Sequence, residues 1–473
     1  MYLGLDLGTS SLKALLVDDA QRVVAEASAP LTVQRPRDGW AEQDAATWEG
    51  ACRDAVRGLG ADLSGVRAIG LAGHMHGATL VGADDRPLRP CLLWNDTRAH
   101  AQAAAMDDAD ARRITGNIVF PGFTAPKVAW VRETEPEIWD RCVRVLLPKD
   151  YLRLWLTGDA VSEMSDASGT AWLDTGARDW SDALLDRQGM SRDHMPSLVE
   201  GSAPSGRLRD AVADDLGLPR GVVVAGGAGD NAAAAMGTGA VAPGRGFVSL
   251  GTSGVLFVST AAHAPDPESA VHAFCHAVPG TWHQMGVILA AADSLEWAAT
   301  LTGRTAADLG SVPMAPPGRT LFLPYLGGER TPHNDAAVRG AALGLEHATG
   351  AEALGRAVME GVAFAFRDSL DALRGTGTRV DDLLAVGGGA ASETWLRMVA
   401  TALDMPLSVP AGGAFGAALG ACRLAMMADG AGVDVAAPPP VERVVEPAGD
   451  LRGAYDDAQA RYRAAYAAVK AVG

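Results

Sequence analysis

Asp230 and Asn231 stand between a glycine turn and a run of small residues in VVVAGGAGDNAAAAMG (222–237). An aspartate that ends a buried strand and opens a helix can cap that helix. It can also project into the space the glycines leave and act as a base. Phosphoryl transfer to an alcohol needs such a carboxylate, which orients the hydroxyl and takes its proton. Four residues without bulk precede Asp230; a cap has no use for them, whereas a substrate approaching the backbone does.

A second constellation suits the phosphate side of the same chemistry. In DLGTS (6–10) a strand turns at Gly8 and presents the N–H groups of Gly8, Thr9 and Ser10, with two hydroxyls, to an anion. Asp6, at the strand's end, is placed to hold Mg²⁺ through water. A tight hairpin in which Thr9 and Ser10 only satisfy the turn is the competing reading, and the echo at Gly251, Thr252 and Ser253 in SLGTSGVL (249–256) tips the balance toward phosphate. The chain has only four lysines, Lys13, Lys127, Lys149 and Lys470. Lys13 lies on the strand returning from the first turn, where a compact ammonium can approach a phosphate. Lys149 is as readable as a solvated surface charge. Familiar phosphate-binding and hydrolase signatures are missing: there is no GxxxxGKS or GxxxxGKT loop, no HRD with DFG, no HExxH and no GxSxG.

GHMHG (73–77) and LLWNDTR (92–98) set polar groups beside apolar ones, as a polyol site requires. His76 can bond hydroxyls, and Met75 with Trp94 can pack on a sugar's carbon face. A structural turn is the alternative for His76. Metal binding by His74 and His76 lacks a third ligand at useful spacing.

The elements that must carry these residues read as α/β. MYLGLDLG, VRAIGLAG, RVLLP, RGVVVAGG, GFVSLGTSGVLFV and DLLAVGGG are buried strands. Segments 98–113, 351–374 and 392–403 have helical period. Four strands end in glycine turns at Gly8, Gly73, Gly226 with Gly227, and Gly387 to Gly389, where ligands bind in open α/β sheets. The repeated GTS turn opens two halves, 1–240 and 241–473, with a loop at 430–447 and a last helix, 451–471, that can pack back on the first half. A chain of 473 residues exceeds one core, so two domains flanking a cleft are expected. Apolar residues at 48% and charged ones at 21% are ordinary for a globular protein. A net charge of −17 disfavours nucleic acid or an acidic membrane surface as partner. The absence of a basic leader and of long apolar runs leads to a cytoplasmic expectation. Cys52, Cys91, Cys142, Cys275 and Cys422 are far apart, without CxxC spacing, and read as reduced structural thiols.

Taken together, MYLGLDLGTSSLK, GHMHGATL, GFTAPKVAWV, AGGAGDNAAAA, LGTSGV, FLPYLGGERTPHND and VGGGAASETW resemble the FGGY carbohydrate kinases, in the right order from residue 1 to about 425. The resemblance implies two ribonuclease-H-like (actin-like ATPase) domains closing on a cleft, with ATP and Mg²⁺ as cofactors. It implies phosphorylation of D-xylulose at its 5-hydroxyl, or of another ketose or polyol (ribulose, a sugar alcohol, gluconate); a non-enzymatic nucleotide-dependent regulator on the same fold is the remote alternative. Asp230 would be the base and Asp6 the metal-associated carboxylate, with Met75, His76 and Asn231 on the sugar. Gly8, Thr9, Ser10, Lys13, Gly251 and Thr252 would line the phosphates, and Gly388, Gly389 and Ser392 would face adenosine. His74 and Thr97 depart from the family's usual Gln and Gly beside the sugar, and Ala342 replaces a bulkier apolar residue. The partner expected is a small sugar, and a homodimer is left open.

Overall fold

The computed structural model describes residues 1–411 and 416–472. Two seven-stranded mixed sheets organise the chain. The first contains β1 (Tyr2–Leu7), β2 (Ser11–Val17), β3 (Val23–Pro30), β4 (Ala68–Gly73), β5 (Pro204–Arg207), β6 (Val223–Ala225) and β7 (Ala228–Gly229). The second contains β8 (Arg245–Leu250), β9 (Gly254–Thr260), β10 (His272–Cys275), β11 (Trp282–Ile288), β12 (Asp382–Val386), β13 (Leu407–Pro410) and β14 (Val441–Val445). Both repeat one pattern: a hairpin whose first strand pairs in parallel with a later strand. In the first sheet the order is β5-β6-β4-β1-β2-β3, with β7 also on β4; in the second it is β10-β11-β9-β8-β12-β13-β14. The GTS echo therefore marks a duplicated architecture, with each GTS turn closing a central hairpin, β1–β2 and β8–β9. The α/β class and the two ribonuclease-H-like halves are as expected.

Strand periodicity decides which side of the first sheet faces the site. Leu3, Leu5 and Leu7 of β1, with Ile69 and Leu71 of β4, pack into a core with Trp48 and Val56 of helix α1 (Ala46–Gly58) and Leu152 and Leu156 of helix α3 (Pro148–Thr157). The alternate positions are small: Gly4 on β1, and Ala68, Gly70 and Ala72 on β4. Against them lies helix α7 (Ala417–Ala428), which also packs on helix α4 (Asp230–Thr238). Contact is at backbone distance: a Cβ on Gly70 would stand 1.8 Å from the Ala421 carbonyl oxygen, and one on Gly420 1.8 Å from that of Ala233. Asp6 continues the Tyr2, Gly4 face beyond this helix.

Several expectations need correction. The last helix, α8 (Arg452–Lys470), packs on α5 (Ala351–Gly375) and α6 (Glu393–Leu403) of the second half, where Tyr455 and Tyr462 join Phe364 in its core. It does not return to the first half; α7 does. The 430–447 segment is not only a loop, since it supplies β14, paired with β13. RVLLP contributes Arg144–Leu146 to a small marginal ladder with Thr79–Val81 rather than to the main sheet. The helical stretch 98–113 is broken at Asp107 and Asp108, because the Asp108 side chain accepts from the Ala111 N–H at 2.8 Å and starts a new helix. No helix among the described residues is long and apolar enough to cross a membrane.

The glycine contacts give a stability test. Gly70→Ala forces its methyl onto a main-chain oxygen and is expected to destabilise the protein by about 1–3 kcal/mol or more. Gly50→Ala, inside α1 with nothing within 4 Å of the new methyl, is expected to stabilise it by roughly 0.5–1 kcal/mol. Chemical denaturation of the two variants measures both signs.

Candidate active site

Parallel pairing sets two carboxylates at one edge of the first sheet. Asp6 of β1 and Ala228 of β7 both pair with Ala72 of β4, from opposite sides. Strand spacing puts their backbones roughly 10 Å apart, and Asp230 follows two residues after Ala228. Gly73 ends the strand between them and adds no side chain to the gap.

Gly229, not Asp230, occupies the cap position of α4, so the capping role open in the sequence is not the one this side chain takes. Asp230 Oδ1 instead accepts from the main-chain N–H of Asn231 at 2.7 Å and from its side-chain amide at 2.9 Å. Asn231 therefore fixes the carboxylate plane. No described protein group donates to Oδ2. Burial raises the Asp230 carboxyl to about 6, against the lowering effect of both Asn231 bonds. Burial also raises Asp6 to about 6, helped by the Asp230 charge and opposed by Lys13, its partner across the β1–β2 ladder.

The turn carrying Asp230 is held from behind by residues whose part in the site is not visible in the sequence. Arg153 of α3 donates to the carbonyls of Ala225 at 3.0 Å and Gly226 at 2.6 Å. Ser165 Oγ accepts the Gly229 N–H at 3.1 Å and donates to Glu163 at 2.8 Å. Lys149 is fully buried, so the solvated reading is wrong: its ammonium lies 2.7, 3.2 and 3.1 Å from Asp150, Glu163 and Asp166. These three acids draw the Lys149 ammonium inward against its desolvation. The clustered acids of KDYLR and VSEMSDAS were the only sequence signal for it.

On the other side of the gap, Met75 packs against Gly229, whose added Cβ would stand 2.9 Å from Met75 Cγ. His76 has φ +70° and its Nδ1 lies 2.8 Å from the Gly169 carbonyl oxygen, an arrangement that turns Nε2 the other way. Its ring stacks on Phe123 at 4.7 Å, and burial pulls its pKa down to about 3, so it is a neutral imidazole at physiological pH. Trp94 is exposed, and its Nε1 donates to Thr9 Oγ1 at 3.1 Å, tying the candidate sugar loop to the first phosphate turn. Buried Lys127 supports that loop through the Leu93 carbonyl at 2.8 Å, and Asp96 does so through a bidentate pair with Arg98. The departures noted in the sequence have protein contacts of their own. His74 is buried edge-on to Trp48, and Thr97 bonds the Gly39 carbonyl on an exposed loop. Ala342 is half-buried on a two-stranded ladder beside the second-half core.

Both glycine turns consume their glycine N–H internally, so the Gly8 N–H is not offered to an anion as the sequence suggested. Gly8 N–H bonds the Ser11 carbonyl at 3.0 Å, and Gly251 N–H bonds that of Ser253 at 3.1 Å, leaving Ser10 and Thr252 exposed. The three glycines after β12 have different reasons. Gly387 has φ +91°, and a Cβ on Gly389 would stand 2.9 Å from that of Leu250. Gly388 has nothing within 4 Å, so the protein itself gives no packing reason for its missing side chain. Ser392 has a structural use: its hydroxyl caps α6 through Trp395 N–H at 3.1 Å and bonds the Gly310 carbonyl at 2.6 Å. Lys13 is half-exposed and lies 3.8 Å from Glu26.

The arrangement offers a carboxylate raised by burial, Met75 and His76 at the end of the neighbouring strand, and one glycine hairpin turn in each half. Known proteins are similar to the chain as a whole. Residues 1–237 match the N-terminal domain of the FGGY family of carbohydrate kinases, and residues 246–428 match its C-terminal domain. The xylulose kinase of Escherichia coli (strain K12) is 48% identical, over 90% of each chain. A crystal structure of a xyloylose kinase from Brucella ovis superposes with a TM-score of 0.98 at 55% identity, covering 100% of both chains. Plasmodium falciparum glycerol kinase with ADP shares the fold, with a TM-score of 0.85 at 17% identity and 98% of each chain covered. With both family domains matched in order along a duplicated sheet architecture, the chain belongs to the FGGY family of carbohydrate kinases.

Proposed function

We propose that this kinase transfers the γ-phosphoryl group of ATP to the 5-hydroxyl of D-xylulose, giving D-xylulose 5-phosphate. The observation that carries the reading is the free Oδ2 of Asp230, on a carboxylate fixed by Asn231 and raised toward neutrality by burial. The sugar is supported by relatives named xylulose kinases, including that of Lactococcus lactis subsp. lactis (strain IL1403) at 37% identity over 89% of this chain.

Asp230 takes the proton from the attacking hydroxyl as the O–P bond forms, and ADP leaves. Met75 and Trp94 pack on the carbon face of the sugar while His76 Nε2 and Asn231 bond its oxygens. Thr9, Ser10 and Thr252 with their turn amides hold the phosphates, and adenosine lies over Gly388 and Gly389. Among the described residues no group of three or more His, Cys, Asp and Glu could hold a metal ion. The donor set at Asp6, a single half-buried carboxylate with no hydrogen-bonding partner among the described residues, fits an ion that arrives with the nucleotide. Asp6 would hold Mg²⁺ through water, where the ion offsets phosphate charge. The chain works as a cytoplasmic enzyme.

Asp230→Asn is expected to lower kcat by about two to four orders of magnitude in a coupled ADP-release assay, while calorimetry shows sugar binding retained; undiminished turnover sinks the assignment. The same variant tests the electrostatics. A carboxyl raised in the folded state stabilises the protein below its unfolded pKa and loses that contribution as pH climbs through about 6. Asp230→Asn is therefore expected to be more stable than the parent at pH 7–8, by roughly 1–3 kcal/mol. The gain should vanish near pH 4; a destabilised variant at pH 8 contradicts a desolvated carboxylate.

A further inference from the structure

Arg330 follows a short strand, Leu321–Leu323, in the second half. Its backbone is bolted to the second sheet on both sides. Glu329 Oε1 accepts from the N–H groups of Leu289 at 3.0 Å and Arg330 at 2.7 Å. Thr331 N–H donates to the Val287 carbonyl at 3.1 Å, and its hydroxyl donates to that of Ala270 at 3.0 Å. From this fixed base the side chain crosses to the first half, where its Cζ lies 3.5 Å from the Phe120 ring centroid.

Phe120 belongs to a ring cluster that ends at the sugar side of the site. It packs edge-on to Phe123 at 5.4 Å, Phe123 stacks on His76 at 4.7 Å, and His272 of β10 lies 5.3 Å from Phe120. The Arg330 charge lowers both His76 and His272, which places the three in one neighbourhood. Both imidazoles are neutral through burial and neither answers the cation.

Arginines buried more deeply than Arg330 are answered by protein oxygens. Arg98 pairs with Asp96 and Glu42, Arg153 with Asp150 and two carbonyls, and Arg423 with Gln21 and the carbonyls of Met236 and Gly237. Among the described residues no oxygen accepts from the Arg330 guanidinium and no carboxylate pairs with it. A ring face alone returns less than a half-buried cation loses in hydration, and five N–H donors remain in a fixed fork. Burial nevertheless leaves the group protonated, with its pKa lowered only to about 10.

We propose that Arg330 is a substrate-binding and specificity residue contributed by the second half, whose N–H donors bind hydroxyl or carbonyl oxygens of a neutral ketose beside His76. This rests on the sugar-kinase reading of the site. It gives the sugar contacts on both halves, so bound sugar favours the closed cleft.

The test is steady-state kinetics of the full chain over a panel of neutral ketoses and sugar acids. Arg330→Met keeps a stem on Phe120 and removes every donor. For the ketose that the parent enzyme phosphorylates, sugar KM is expected to rise roughly 10- to 100-fold. KM for ATP and kcat at saturating sugar should stay within about threefold. Arg330→Lys should recover part of the affinity and also guards against a misfolded Met variant. An unchanged sugar KM in a folded Arg330→Met protein overturns the proposal, as does a fall in kcat without a change in KM. A parent enzyme that prefers a sugar acid overturns the neutral-ketose assignment. Were D-xylulose not a substrate but another ketose were, the proposed reaction would fail while the KM comparison on that ketose still decided the role of Arg330.

Discussion

Everything at this site depends on partly burying two carboxylates at the ends of the strands that flank β4. Asp6 and Asp230 flank Gly73, and each is held near half-protonation around pH 6 by desolvation. A carboxylate in water is a weak base with no geometric preference. One desolvated and fixed in plane by Asn231 is both stronger and aimed. The fold bears the cost through a rigid surround: Arg153 and Ser165 bond the turn that carries Asp230, and the Lys149 cluster locks Glu163, on which Ser165 depends.

The duplicated sheets explain how nucleotide and sugar meet there. Each half offers a hairpin turn with an exposed hydroxyl residue, Ser10 or Thr252, and the halves are joined by the backbone-distance packing of α7 on β1, β4 and α4. The halves also share an apolar core, in which Met75, Leu80 and Trp172 of the first pack with Phe247, Phe257 and Phe274 of the second. Bonds from Asn117 to Ala273 and from Cys275 to Ser168 add a further link, near the ring cluster that holds His76. Arg330 reaches across at that end.

The sequence made the phosphate turns, the Asp230 turn and the α/β class legible because each is a local property: a strand, a glycine and a following polar residue lie within about ten positions of one another. What it hid were partnerships across long separations. Lys149 reads as surface charge until Glu163 and Asp166 are seen beside it. Arg153 looks like one more helical arginine until its carbonyl partners, more than 70 residues away, are in place. Ser392 sits where a nucleotide-facing residue is wanted, yet its hydroxyl is consumed by the cap of its own helix. The return of α7 to the first sheet is invisible in a segment of alanines, because its meaning lies in Gly4 and Gly70, more than 300 residues earlier.

The most direct test of the central claim is kcat/KM for the sugar against pH for the parent enzyme, with ATP saturating. With Asp230 as base, kcat/KM should be level above about pH 7 and fall tenfold per pH unit below about 6. A kcat/KM that stays level to pH 5 in a folded enzyme would contradict the account.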